Sequence, residues 1–186
     1  MTGIETPHTY LVDQLRSGHR EALDELTTLL YDELREIAHR HRVGRDDWSL
    51  VTTSIVHQTY LKLMNQGEVR WTDRAHFLAL AAVAMRHILA DRARARRAAK
   101  RGGAPVAVSF DEGAFASDDD PSALLQVDEA LERIERVDRR LARVVEYRFF
   151  GGLTNDEIAE VLGVNVRTIE RDWRKARMLL RDELRP

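Results

Sequence analysis

The chain has 186 residues, 44% of them apolar, enough to build folded cores and too many for a disordered polyelectrolyte. It has no cysteine, which excludes disulfide frameworks, thiolate metal sites and cysteine nucleophiles and suits a reducing cytoplasm. The formal net charge of −2 conceals a segregation of sign: residues 86–101 hold seven bases against the single acid Asp91, residues 111–129 hold seven acids and no base, and the C-terminal stretch is basic again.

Helical periodicity dominates, with 106–108 the one short strand candidate, so the expected fold is all-α. A short helix is expected over 10–16. A longer one over 20–41 is marked by Leu23, Leu26, Leu30, Leu34 and Ile37. The third covers 53–65 and the fourth 73–99, with Phe77, Ala81, Ala84, Met85 and Ile88 as its core stripe. In the third, Ile55, Val56, Thr59, Tyr60 and Leu63 make the inner face. Ser54, Gln58, Leu61 and Asn65 run along the other side, and a leucine in a polar stripe suggests a partner surface.

From 102 to 121 the periodicity gives way to a Gly-Gly-Ala-Pro start and an acidic stretch, the pattern of a flexible linker. Phe110 and Phe115 are its only candidate anchors. The chain therefore divides into two small helical domains, 1–101 and 122–186, joined by an acidic linker. Helices are expected at 122–136, 138–150, 154–162 and 165–184.

The run LTNDEIAEVLGVNVRTIERDW, residues 153–173, carries the sharpest signal. Thr154 and Glu157 have capping-box spacing, Gly163 ends the helix after about two turns, and Asn165 can cap the next. This is a helix-turn-helix whose core is Ile158, Ala159, Leu162, Val164, Ile169, Trp173 and Ala176. At about 100° per residue, Arg167, Arg171, Arg174 and Lys175 fall on the far side of the second helix. Arg167, Thr168 and Arg171 are placed to reach base edges, and Arg174, Lys175 and Arg177 to reach phosphates.

In the N-terminal half His76, His87 and Arg94 share a flank of the fourth helix that leads, through Arg86, into the basic run, a surface suited to a DNA backbone. Trp71 lies beside Arg70 and Arg74, an aromatic among cations able to stack on an unpaired base; a hydrophobic staple onto Phe77 is the alternative. No phosphate-binding glycine loop, His-Glu-x-x-His site or nucleophile elbow is present, and His39 and His41 point to different helix faces. No enzyme, cofactor or metal site is expected. No apolar run approaches the roughly 18 residues of a membrane span and the N-terminus lacks an export signal, so a cytoplasmic protein is expected.

Taken together, the helix-turn-helix, the segment IVHQTYLKL at 55–63 and the segment DRAHFLALAAVAMRHILADRAR at 73–94 resemble, in order, a sigma factor of the extracytoplasmic-function type, which keeps only the domains called regions 2 and 4. The resemblance implies core RNA polymerase and promoter DNA as partners. Residues 55–63 and their flank Ser54, Gln58, Leu61 and Asn65 would dock polymerase. Residues 73–94, with Arg70, Trp71, Arg74, His76, Arg86, His87 and Arg94, would open and read the downstream element. The C-terminal helix-turn-helix would read the upstream one, and the acidic linker would occupy the path of nascent RNA.

One departure stands out: the docking helix is usually acidic in the family, yet 48–67 contains no Asp or Glu. Phosphorylation of Thr53, or of Ser49, Thr52, Ser54 or Thr59, by a Ser/Thr kinase would add about −1.5 to −2 charges there. Helix capping is the plainer role for these hydroxyls. An anti-sigma factor is the other regulatory partner to expect. The rival reading is a helix-turn-helix repressor or activator that binds DNA as a dimer without polymerase.

Overall fold

The computed structural model describes residues 10, 11, 14, 17, 21–40, 48–65, 73–99 and 121–184. They form eight α-helices and no strand: α1 (Glu21–Leu29), α2 (Tyr31–Arg40), α3 (Trp48–Met64), α4 (Arg74–Ala99), α5 (Pro121–Val137), α6 (Arg139–Val145), α7 (Asn155–Leu162) and α8 (Val166–Glu183). A π-helical turn, Glu146–Phe150, follows α6 directly. The fold is all-α, as the periodicity predicts. The strand candidate at 106–108, most of the expected linker and most of the helix at 10–16 lie outside the described residues.

The helix expected over 20–41 is interrupted at Leu30. The Leu30 and Leu34 amides still donate to the Leu26 and Leu30 carbonyls, both at 2.9 Å, so helical hydrogen bonds carry across the junction. Just before the junction the Thr28 hydroxyl donates to the Asp24 carbonyl at 2.8 Å and competes with the helical ladder. Leu26, Leu30 and Leu34 remain fully buried across the junction.

Helix α3 begins at Trp48, several residues before the expected start. Its first two turns are rich in β-branched and hydroxyl residues of middling helix propensity, and burial of Thr52, Ile55 and Val56 outweighs that preference. Asp73 caps α4 by accepting from the His76 amide at 2.8 Å.

Helix α4 is the centre of the molecule. Beyond the predicted stripe, Leu78, Ala79, Ala82, Leu89, Ala90 and Ala93 are also buried, so the helix is covered nearly all round. It packs against α3 on one side and against α5, the π turn and α7 on the other. Gly151 marks the closest approach. A Cβ there would lie 2.6 Å from the Tyr147 carbonyl oxygen and 3.0 Å from the Ala82 Cβ of α4. Buried apolar side chains of the N-terminal and C-terminal halves consequently form one continuous cluster, from Leu26 through Phe77 and Met85 to Phe150 and Leu180.

The helix expected over 138–150 ends in the π turn. Asp138 starts it, accepting from the Arg140 and Leu141 amides. The wider final turn places Glu146, Tyr147 and Phe150 in the interior together.

Candidate nucleic-acid and polymerase interfaces

The C-terminal interface is built by its caps. Thr154 accepts from the Glu157 amide while Glu157 reaches back to the Thr154 amide, a reciprocal capping box. Gly163 ends α7 with φ 64° and ψ 35°, the left-handed conformation that glycine adopts without penalty. Asn165 then caps α8 by accepting from the Thr168 amide at 2.8 Å. A three-residue turn, 163–165, thus joins two helices packed on each other through Ile158, Ala159, Ile169, Trp173 and Ala176.

Arg167, Arg171, Arg174 and Lys175 are exposed on the opposite side of α8. Thr168 is half-buried, with its hydroxyl donating to Asn165 Oδ1 at 3.0 Å, so it serves the cap. Arg177 is half-buried and engaged with the protein. Lys175 stands 3.9 Å from Asp138. Met178, 67% exposed, projects between the same arginines, an apolar member of this face that the charge pattern alone did not single out.

The face is held in place from behind. Asp172, buried on the inner side of α8, accepts from Arg140 Nε of α6 at 2.6 Å, and this hydrogen bond raises the Arg140 pKa above its ordinary value. Arg148 lies over the Trp173 ring at 4.8 Å, a cation–π contact.

The N-terminal cations are arranged differently. Arg74 is half-buried and bound to Glu33 of α2 and to Glu157 of α7, the latter at 2.6 Å. Arg86 is only 3% exposed. Its Nε donates to Asp128 Oδ1 at 2.8 Å, its Nη1 to Glu146 Oε1 at 2.6 Å and its Nη2 to the Asp128 carbonyl at 3.1 Å. Burial works against its charge, but Glu146 and Asp128 hold its pKa above the ordinary value. Arg94 donates to Asp128 Oδ2 at 2.7 Å and to Asp91 at 2.9 Å, and Arg143 donates to Glu146 Oε2 at 2.7 Å.

His76 is half-buried and engaged with the protein. His87 keeps an exposed surface, but desolvation of its ring, then Lys62 and Arg86, lower its pKa. Arg70 and Trp71 lie outside the described residues. A cleft of about 720 Å³ opens at the seam of the two halves, bordered by Glu33, Arg40, Arg74, Gly152 and Glu157.

Sequence reasoning missed Asp128, Glu146 and Glu157 as partners of these cations. The available signal was the second apolar face of α4, Leu78, Ala82 and Leu89, which demands a second packing partner.

Gln58 of α3 and Asn65 just past its end are exposed and Leu61 is 45% exposed, so these members of the predicted stripe share an open face. Ser54 is half-buried and accepts from Arg92 Nη2 at 2.6 Å. The candidate modification sites separate by exposure. Thr52 and Thr59 are buried, and Thr59 donates to the Ile55 carbonyl at 2.8 Å. Thr53 is exposed, 3.4 Å from the Tyr31 hydroxyl. The side chain of Ser49 lies outside the described residues.

Among the described residues no group of three or more histidine or carboxylate side chains could hold a metal ion, and no helix is long and apolar enough to cross a membrane. An all-α chain ending in two capped helices around a tight turn, with cations on the outer face, has the architecture of a helical DNA-binding regulator. The sequence profile of the ECF sigma factor family matches residues 5–186, and the chain belongs to that family. Its function is therefore promoter-directed transcription initiation with RNA polymerase, a non-enzymatic role. Members of the family bind core polymerase, promoter DNA and often anti-sigma factors. A search of curated proteins returns no match.

Proposed function

We propose that 1–101 acts as the region 2-like unit and 122–186 as the region 4-like unit, with 102–121 as the tether between them. The observation that carries this reading is the exposed basic face of α8, Arg167, Arg171 and Arg174, set on a doubly capped turn and backed by the ion pair of Arg140 with the buried Asp172. In this reading α8 enters the major groove of the upstream element. Arg167 and Arg171 meet base edges, and Arg174, Lys175 and Arg177 meet phosphates. Thr168 supports the cap and contacts DNA through whatever acceptor capacity its hydroxyl retains.

The α3 stripe, Ser54, Gln58, Leu61 and Asn65, is the polymerase-docking face. Helix α4 with Arg70, Trp71, Arg74, His76, Arg86, His87 and Arg94 meets the downstream element. Docking is tuned by phosphorylation of α3 by a Ser/Thr kinase. Exposure favours Thr53 over Thr52 and Thr59 as the acceptor. A phosphate there would supply the negative charge that the helix lacks, next in sequence to Ser54, which accepts from Arg92 of α4, a half-buried guanidinium whose pKa is lowered by burial.

The test is the affinity of the unmodified protein and of Thr53→Glu for core RNA polymerase. Stronger binding by Thr53→Glu, with phosphate found on Thr53 in cells, supports the switch. Equal binding and an unmodified segment would remove it. Binding to a two-fold DNA site as a dimer, with no polymerase binding by either protein, would favour a regulator acting alone.

A further inference from the structure

The arginines of α4 differ in what they meet. Arg74, Arg86 and Arg94 each donate to carboxylates. Arg92 does not. It is half-buried, its Nη2 donates to the Ser54 hydroxyl of α3 at 2.6 Å, and among the described residues no carboxylate pairs with it. Desolvation alone moves its pKa, downwards, with no acid opposing the shift. A guanidinium keeps its proton at neutral pH, so a full positive charge sits here without a counter-charge.

The surroundings do not supply one. Helix α3 has no Asp or Glu. Desolvation first and Lys62 of α3 next lower the His87 pKa, which places a second cation on the α4 side of α3. Asp91, beside Arg92 in sequence, is exposed and paired with Arg94 at 2.9 Å. Asp24 of α1 accepts from the Tyr60 hydroxyl.

Ser54 belongs to the stripe assigned above to polymerase docking, so Arg92 stands at the edge of that face. A surface that receives an acidic helix, as family members present, is itself basic. We infer that Arg92 sets the charge of this docking face: uncompensated, it opposes a basic polymerase surface, and an anion on the first two turns of α3, a phosphate on Thr53 or Ser54, acts mainly by neutralising it. The inference rests on the reading of α3 as the polymerase-docking helix and gives the modification a receiver within the chain. Arginine suits the task, since its planar fork pairs with two phosphate oxygens at once. Ser54 is the nearer seat, already bonded to Arg92, and Thr53 beside it is the more exposed. The modification then removes a repulsion. If instead the new charge acted on polymerase directly, Arg92 would be irrelevant to its effect.

A cycle of the parent, Ser54→Asp, Arg92→Gln and the double variant tests this by affinity for core RNA polymerase at low and at physiological salt. Arg92→Gln should bind about fivefold tighter than the parent at low salt, and the gain should shrink as salt rises. Ser54→Asp should gain about fivefold in the parent and less than about twofold where Arg92 is replaced, and Thr53→Glu should lose its gain in the same background. Arg92→Lys, which keeps the charge, should forfeit the gain of Arg92→Gln; an arginine needed only for structure would weaken binding in both variants. Unchanged or weaker binding by Arg92→Gln, or full gains that multiply in the double variant, would overturn the inference.

Should Arg92→Gln not fold, Arg92→Met keeps the apolar stem and takes its place. The free chain gives a second reading. Ser54→Asp should raise the melting temperature where Arg92 is present and not where it is replaced, and equal effects in both backgrounds would overturn the pairing. Absence of polymerase binding throughout the series would overturn the docking reading and the role of Arg92 in it. The melting series needs no polymerase, and so tells that failure apart from a failure of the pairing between Arg92 and α3.

Discussion

Single residues show where this fold departs from its best local solution. The Thr27 hydroxyl is buried and has no hydrogen-bond partner among the described residues, near the junction of α1 and α2. An unsatisfied buried hydroxyl costs about 1 kcal/mol or more, and valine has the same branched shape without it. Thr27→Val should therefore raise stability by about 1 kcal/mol, read as a higher urea midpoint at unchanged slope. His87 gives a second expectation, for pH. Its folded pKa is lowered, chiefly by desolvation, so the fold favours the neutral ring. That stability is present above the ordinary histidine value of about 6.5 and is lost as the pH falls through the lowered folded value. His87→Gln should flatten the decline of melting temperature between about pH 7 and pH 5; an unchanged profile would remove His87 as its cause. Neither residue was identifiable in these terms from the chain alone, because both effects depend on what surrounds a side chain.

Elements were legible where the sequence carries its own punctuation. Thr154, Glu157, Gly163 and Asn165 define three helix ends through contacts spanning three or four residues, and the structure shows each cap in the predicted place. Such caps need no tertiary partner. Gly163 is open to solvent, and a Cβ added there would meet nothing within 4 Å, so only its positive φ of 64° resists substitution. Gly163→Ala should cost about 1 kcal/mol from the left-handed conformation, measured by thermal melting, with DNA-face residues unmoved. Gly151→Ala should cost more, since its Cβ would press on the Tyr147 carbonyl and on Ala82. The interruption at Leu30, the early start of α3 and the π turn were not readable. In each, hydrophobic burial or a side-chain hydrogen bond outweighs a local preference worth only tenths of a kcal/mol per residue.

Across the whole molecule, the N-terminal and C-terminal halves meet through a chain of alternating charges, Arg94, Asp128, Arg86, Glu146 and Arg143, most of it buried. Removing one member leaves the others buried and short of a partner. Arg86→Met should cost about 3 kcal/mol, the lower end for a broken buried pair, because Asp128 keeps Arg94 and Glu146 keeps Arg143. Replacing Arg86, Asp128 and Glu146 together by apolar residues of similar size should restore much of that stability, as denaturant unfolding would show. The residues of the chain determined by themselves that it is helical, where its C-terminal caps fall and which face of α8 carries cations, since those properties repeat every turn or close within one. Only the tertiary structure decided that α4 is covered on both sides and that Arg74, Arg86 and Arg94 face carboxylates. Pairings such as Arg86 with Asp128 and Glu146 join residues 42 and 60 positions apart, and no local pattern encodes which of many acids a given arginine will meet.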